Sequence, residues 1–287
     1  MALRFLVVEG NTRDARQAHK AASGQMPCES YAAVLHRIDP SAVCDLAFPA
    51  DEGANLPDSA GLQSYDGVVL TGSALNLYDA TPPVARQIEL MRAVYASGTP
   101  AFGSCWGIQI GAVAAGGDVQ RNPKGREIGF ARRLTPTDAG RSHPMLAGCP
   151  EAFDAPAIHL DAVVAPPADC TVLARNAMSD IQAAEIRSDG GTFWGVQYHP
   201  EFSLHELAVI LERRVEILVG EGFCGRLEDA AAYVSDLMAL HAEPRRPDLA
   251  WRHGLDQEVL DPERRTREIR NFVERRVRPE KSRKGRA

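Results

Sequence analysis

A cysteine lies between two glycines in residues 103–107 (GSCWG), directly after a short apolar run that ends at Phe102. This pattern is typical of a nucleophile elbow, a sharp turn from a strand into a helix that requires very small flanking residues. The turn lifts the thiol of Cys105 above the sheet and sets it at a helix N-terminus, where the helix dipole favours the thiolate. The segment therefore predicts a nucleophile; the alternative is a buried structural cysteine in a tight turn.

A histidine and a glutamate, His199 and Glu201, follow the apolar residues 193–198 (FWGVQY). A thiol nucleophile needs a base, and the base needs a partner that orients it. Pro200 fixes the chain between the two residues, and the alternation of side chains along extended backbone puts both on the same side. A lone histidine after a strand is usually structural, but together with Cys105 the pair predicts a Cys-His-Glu catalytic triad.

The sequence gives little support for a metal or a cofactor. His36, His143, His205 and the acidic loop around Asp51 show no spacing typical of metal ligands. A glycine-rich phosphate loop of the GxGxxG or GxxxxGK[ST] form is also missing after the apolar runs. We therefore expect neither a metal nor a cofactor.

The overall charge and composition are those of an ordinary globular protein. Of the 287 residues, 45% are hydrophobic and 24% are charged. The net charge of −6 does not indicate nucleic-acid binding. No stretch reaches the roughly 20 apolar residues that span a bilayer, and the N-terminal residues do not form a secretion signal. The six scattered cysteines are expected to remain thiols. We therefore expect a cytoplasmic protein that binds neither nucleic acid nor a membrane.

Short apolar runs alternate with helical patterns along most of the chain, which predicts an α/β fold with a mostly parallel sheet flanked by helices. Predicted strands are residues 3–8, 42–48, 68–70, 99–102, 127–134, 157–164, 171–174, 183–187 and 193–198. Predicted helices are residues 30–37, 83–96, 108–115, 204–219, 227–240 and 262–276. From residue 241 onward, 14 Arg and Lys stand against 9 Asp and Glu, so this end is basic while the body is acidic. We expect it to be a helical extension with a frayed tail.

Three motifs together resemble the class I glutamine amidotransferases. GSCWG followed by Gln109 and, later, WGVQYHPE look like the two signatures of that family, and residues 70–73 (LTGS) form a third match. The similarity is greatest to the GMP-synthase-like branch, which has similar stretches at residues 126–129 and 159–163. The resemblance implies a flavodoxin-like amidotransferase domain over residues 1–242, followed by the basic extension, residues 243–287.

The resemblance also implies a reaction and a set of roles. The Cys105 thiolate would attack the γ-carbonyl of glutamine, and the backbone N–H groups of Gly72 and Trp106 would form the oxyanion hole. Gln109 and Ser73 would contact the substrate, although Gln109 could instead be an ordinary exposed helix residue. Loss of one oxyanion-hole donor typically costs about 100- to 1,000-fold in rate.

Three functions are consistent with these residues. The first is a glutaminase that supplies ammonia to a separate synthetase subunit, since the chain has no SGGxDS-type phosphate loop of a GMP synthase. The second is a stand-alone hydrolase of γ-glutamyl peptides that forms the same thioester. The third is a non-catalytic binding module, against which the intact triad argues. The sequence leaves open whether the chain forms a homo-oligomer through its basic end.

Overall fold

The apolar runs and amphipathic segments fold into a large mixed sheet covered by helices, described here for residues 2–285 in a computed structural model. The strands are β1 Arg4–Val8, β2 Val43–Ala47, β3 Gly67–Leu70, β4 Ala101–Ser104, β5 Asp118–Arg121, β6 Glu127–Pro136, β7 Phe153–His159, β8 Asp161–Ala165, β9 Cys170–Arg175, β10 Ala183–Ser188 and β11 Gly191–Val196. The helices are α1 Arg13–Ser23, α2 Pro27–Ile38, α3 Ser59–Leu62, α4 Pro82–Ser97, α5 Trp106–Ala114, α6 Asp138–Ser142, α7 Leu204–Glu212, α8 Val215–Gly220, α9 Leu227–Ala242, α10 Pro247–His253, α11 Gln257–Leu260, α12 Pro262–Arg265, α13 Arg267–Asn271 and α14 Arg278–Lys284. A π-helical segment, Phe272–Val277, joins the last two helices.

The main sheet has nine strands in the order β2-β1-β3-β4-β11-β10-β9-β6-β7. Its first five strands are parallel, and the remaining pairs are antiparallel. A separate antiparallel pair is formed by β5 and β8. The predicted α/β sheet with flanking helices is thus present, and the β-rich middle of the sequence supplies the antiparallel half. Because β4 and β11 are parallel neighbours, the residues that follow them emerge at the same edge of the sheet.

The central parallel strands are buried on both faces, as their continuous apolar sequences predict. One face packs in a hydrophobic cluster that contains Phe5, Phe102 and Trp194, and the other face packs against α4 and α5 in a second cluster. A third cluster joins β6 to the helices α7 and α9. Strands β4 and β11 lie at the centre of this arrangement, so the turn that follows each of them begins from a well-packed part of the sheet.

Several element boundaries differ from the sequence-based prediction. Helix α1 and strand β5 were not predicted, because the α1 sequence has low hydrophobicity and β5 is mostly exposed. The predicted strand 157–164 is two strands that part at Leu160, and the predicted helix 204–219 is interrupted at residues 213–214. The prediction of a frayed tail was wrong for residues 278–284, which form helix α14, while residues 286–287 of that tail lie outside the described residues.

The basic C-terminal residues pack against the sheet. Phe272 is fully buried, and its ring lies 5.6 Å from that of Phe102 and 6.1 Å from that of Trp194, measured between centroids. Glu268 is also buried and accepts a 2.7 Å hydrogen bond from the hydroxyl of Tyr198. The hydrophobic cluster on this face is therefore completed by the C-terminal residues, while the division at residues 242–243 remains a prediction.

Candidate active site

The turn that carries Cys105 has the geometry of a nucleophile elbow. The cysteine joins β4 to α5 with φ of 54° and ψ of −102°, a positive-φ conformation that is strained for any residue other than glycine. A Cβ atom added to Gly103 would lie only 2.8 Å from the Cα of Gly107, so β4 and α5 can approach this closely only with glycine at position 103. A Cβ atom at Gly107 would instead lie 3.1 Å from the carbonyl oxygen of Leu70 on β3. The backbone N–H of Cys105 donates a 2.8 Å hydrogen bond to the carbonyl of Val196, which ties the elbow to β11.

His199 and Glu201 lie just beyond the end of β11 and contact each other. Nδ1 of His199 is 2.7 Å from Oε1 of Glu201, and both side chains are buried. The imidazole stacks on the ring of Phe202 with a centroid distance of 3.9 Å and an interplanar angle of 4°. The carboxylate and the stacked ring fix the orientation of the imidazole, leaving Nε2 as the nitrogen that does not face Glu201.

The electrostatic surroundings of His199 favour its protonated form. Burial alone would lower its pKa, but the charge of Glu201 and the interaction with the Cys105 sulfur outweigh burial and raise the pKa of His199 to about 10. These surroundings therefore favour an imidazole that carries a proton it can donate.

Gly72 and Trp106 flank the same turn. Gly72 follows β3 and lies against His199, since a Cβ atom at this glycine would stand 2.6 Å from Cε1 of the imidazole. Trp106 is the first residue of α5, so its backbone N–H is among those that no helical carbonyl accepts. The indole of Trp106 is held by a 2.8 Å hydrogen bond from Nε1 to Oε1 of Gln87. The two predicted oxyanion-hole residues thus come from neighbouring strand ends.

The two predicted substrate-contact residues, Gln109 and Ser73, both line the cavity next to Cys105. Gln109 is buried, and its Nε2 donates to the carbonyl of Asp161 at 3.1 Å and to Oε1 of Gln197 at 3.3 Å. The alternative that Gln109 is an ordinary exposed helix residue is therefore wrong. Contact of either residue with substrate stays a prediction.

A cavity of about 380 Å³ brings together all the predicted site residues except Trp106. Its volume lies in the range of pockets that hold drug-sized ligands. The wall also contains residues that the sequence did not suggest, among them His19, Arg126, Arg213 and Arg214. Within residues 2–285, no group of three or more His, Cys, Asp or Glu side chains is arranged to hold a metal ion. In the same range, every helix is too short or too polar to cross a lipid bilayer.

Comparison with known proteins identifies the family. The profile of the family described as "Glutamine amidotransferase class-I" matches residues 41–216, more than half of the chain. A γ-glutamyl-L-1-hydroxyisopropylamide hydrolase from a Pseudomonas species is 36% identical over 287 residues, covering 98% of this chain and 96% of that protein. The protein thus belongs to the class I glutamine amidotransferases, as the motifs around Cys105 and His199 predicted.

Two further similarities concern the branch and the fold. The glutamine-hydrolysing GMP synthase of Aeromonas hydrophila is 29% identical over 206 residues, which cover 68% of this chain but only 37% of the synthase. The crystal structure of a glutamine amidotransferase from Thermotoga maritima matches with a TM-score of 0.62 at 18% identity, covering 96% of this chain and 99% of that one. The predicted GMP-synthase-like resemblance and the predicted fold are both confirmed.

Proposed function

We propose that this protein hydrolyses the amide bond of a γ-glutamyl compound through a Cys105 γ-glutamyl thioester and releases glutamate and an amine. The observation that carries the proposal is the similarity to the Pseudomonas hydrolase, which extends over nearly the whole of both proteins. The similarity to the GMP synthase leaves about a third of this chain uncovered.

The proposed reaction uses the residues around the elbow. Sγ of Cys105 attacks the γ-carbonyl carbon, and the N–H groups of Gly72 and Trp106 stabilise the resulting oxyanion. His199 donates its Nε2 proton to the leaving nitrogen as the C–N bond breaks, while Glu201 stabilises the imidazolium. His199 then accepts a proton from water, which attacks the thioester; the C–S bond breaks and glutamate leaves.

A glutaminase that supplies ammonia to a separate synthetase is the second candidate. The similarity to GMP synthase favours it, because that protein hydrolyses glutamine and contains more than twice the length that this chain matches. Both candidates share the chemistry up to the thioester. They differ in the leaving group and in the need for a partner.

Glutamate release by the purified protein tests the proposal. Glutamine and a panel of γ-glutamyl amides and peptides are compared, with Cys105→Ala to remove the nucleophile. Cys44→Ala is the matched control, because Cys44 is a half-buried thiol on β2 that is not among the cavity residues. Turnover of a γ-glutamyl amide without any partner, lost in Cys105→Ala and kept in Cys44→Ala, is the expected result.

Other outcomes separate the remaining candidates. Slow, Cys105-dependent turnover of glutamine alone supports the glutaminase that depends on a partner. If no substrate is hydrolysed, the protein is treated with an electrophilic glutamine analogue. Alkylation of Cys105 then indicates a reactive nucleophile that lacks its substrate or partner, whereas a non-catalytic binding module would remain unlabelled.

A further inference from the structure

Three arginines share one part of the cavity wall. Arg126 lies just before β6, while Arg213 and Arg214 lie at the junction between α7 and α8. The break between these two helices creates the junction, because Arg214 leaves the helical conformation with φ of −133° and ψ of 21°.

Only one of the three arginines is neutralised by a carboxylate. Nε of Arg126 lies 3.0 Å from Oε2 of Glu221. Within residues 2–285, Arg213 and Arg214 form no ion pair; their hydrogen bonds go to the backbone carbonyls of Ala18 and Ile210.

The arrangement is costly without a bound anion. Arg214 is partly buried, and burial together with the positive charges of Arg213 and Arg126 lowers its pKa. A guanidinium has five N–H donors in a planar fork that matches a carboxylate, so an anion in the cavity would satisfy donors and relieve the repulsion at once. The cluster thus has the chemistry of a carboxylate-binding site.

The position of the arginines indicates which part of a substrate they meet. Under the proposed function, Gln109 and Ser73 contact the glutamyl half, and these residues come from α5 and from the loop after β3. Arg213 and Arg214 instead belong to the helical wall, where Arg213 contacts α1 through Ala18. With the glutamyl half assigned to Gln109 and Ser73 and the reacting carbonyl to Cys105, we assign the helical wall to the amine half.

We propose that the arginine cluster binds a carboxylate on the amine half of the substrate. The preferred substrates are then γ-glutamyl amino acids or peptides with a free carboxylate close to the cleaved amide, in preference to neutral γ-glutamyl amides. This inference rests on the proposed function and specifies its substrate class.

A matched pair of substrates tests the inference. γ-Glutamyl-alanine and γ-glutamyl-alaninamide differ only in the carboxylate, and kcat/KM is measured for both. We expect the wild type to favour the acid by roughly 10- to 100-fold, as for a hydrogen bond to a charged group. In Arg214→Gln this ratio should fall towards one. Arg92→Gln is the control, because Arg92 is an exposed arginine on α4 outside the cavity, and it should keep the wild-type ratio.

Two further variants show whether a lower ratio comes from loss of folding and whether the contact needs the guanidinium fork or only the positive charge. Arg213→Gln changes an exposed side chain, so it should fold normally and also lower the ratio. Arg214→Lys keeps the charge but loses the fork, and we expect a ratio between those of wild type and Arg214→Gln. A wild-type ratio near one overturns the inference. So does an Arg214→Gln variant in which both substrates lose activity equally, because the arginines would then bind the glutamyl α-carboxylate or stabilise the fold.

Binding measurements separate failure of this inference from failure of the proposed function. If the wild type releases no glutamate from either compound, the hydrolase proposal fails. Calorimetry with Cys105→Ala then still compares the acid with the amide. Tighter binding of the acid, lost in the double variant Cys105→Ala/Arg214→Gln, supports the anion site, whereas equal affinities or no binding overturn it.

Discussion

Substitution of Gly72 by alanine should disable the proposed site without removing any polar group. The added Cβ atom would stand 2.6 Å from Cε1 of His199, whereas ordinary contact begins at 3.4 Å, so the methyl overlaps the imidazole by about 0.8 Å. The imidazole cannot easily retreat, because Glu201 holds one edge at 2.7 Å and Phe202 stacks on it at 3.9 Å. A displacement of about 1 Å at a reacting group can cost about 100-fold in rate. We therefore expect kcat/KM for glutamate release to fall about 100-fold, with an overpacking cost of about 1–3 kcal/mol in the free energy of unfolding.

The assay is glutamate release together with a urea titration of each variant. Gly220→Ala is the matched control, since no atom lies within 4 Å of a Cβ atom at Gly220 and its backbone is not left-handed. This control should keep wild-type activity and stability. Activity of Gly72→Ala within about threefold of wild type, in a folded protein, would refute the placement of Gly72 against His199.

Three other expectations follow from the buried groups. Glu201→Gln removes the largest influence that raises the pKa of His199 from its usual value to about 10. The loss of kcat/KM at alkaline pH should therefore begin at a lower pH than in the wild type, and the maximum of kcat/KM should fall by up to about 10,000-fold. Both effects are measured in pH–rate profiles of the two proteins. Burial raises the pKa of Glu268 to about 7 from 4.5. Protonation of Glu268 therefore adds on the order of 3 kcal/mol to the free energy of unfolding below pH 4.5, and this contribution is lost as the pH rises to 7. Glu268→Gln should flatten this dependence, as urea midpoints at pH 5 and pH 8 would reveal; parallel curves for the two proteins would contradict it. Phe272→Ala should lower the free energy of unfolding by about 3–5 kcal/mol, measured by urea titration, and a cost below about 1 kcal/mol would show that the ring does not complete the core.

The proximity of the predicted catalytic residues could be inferred from sequence because it depends on strand order and local geometry. Cys105 and His199 each follow a short apolar run, and in a parallel sheet such runs end at the same edge. Gly103 is required by the close approach of β4 and α5, and a Cβ atom at Gly107 would crowd Leu70 on β3, so the elbow is visible in the sequence itself. The contact of Glu201 with His199 was also predicted, but the two residues meet within a turn and not along extended chain, since the N–H of Phe202 donates a 3.2 Å hydrogen bond to the carbonyl of His199.

The arginine-lined part of the cavity could not be inferred in this way. Leu211 and Leu218 are seven residues apart and both are buried in the same cluster, so the apolar periodicity continues across the break between α7 and α8. The sequence therefore predicts one helix with Arg213 and Arg214 on its surface. Helix α1, which supplies another part of this wall, has too few apolar residues to be recognised by periodicity.

The packing of Phe272 and its neighbours has a consequence for how the chain reaches its native state during translation. Ile269, Phe272 and Val277 fill the cluster on one face of the sheet, but the ribosome adds them after every strand has been made. Until these residues leave the exit tunnel, the finished strands β1, β4 and β11 must present an uncovered apolar face. Nascent chains with such faces are prone to association and are bound by chaperones. Synthesis of the roughly 70 residues between β11 and this segment is thus an interval in which the protein is exposed to misfolding, on the order of ten seconds at typical elongation rates.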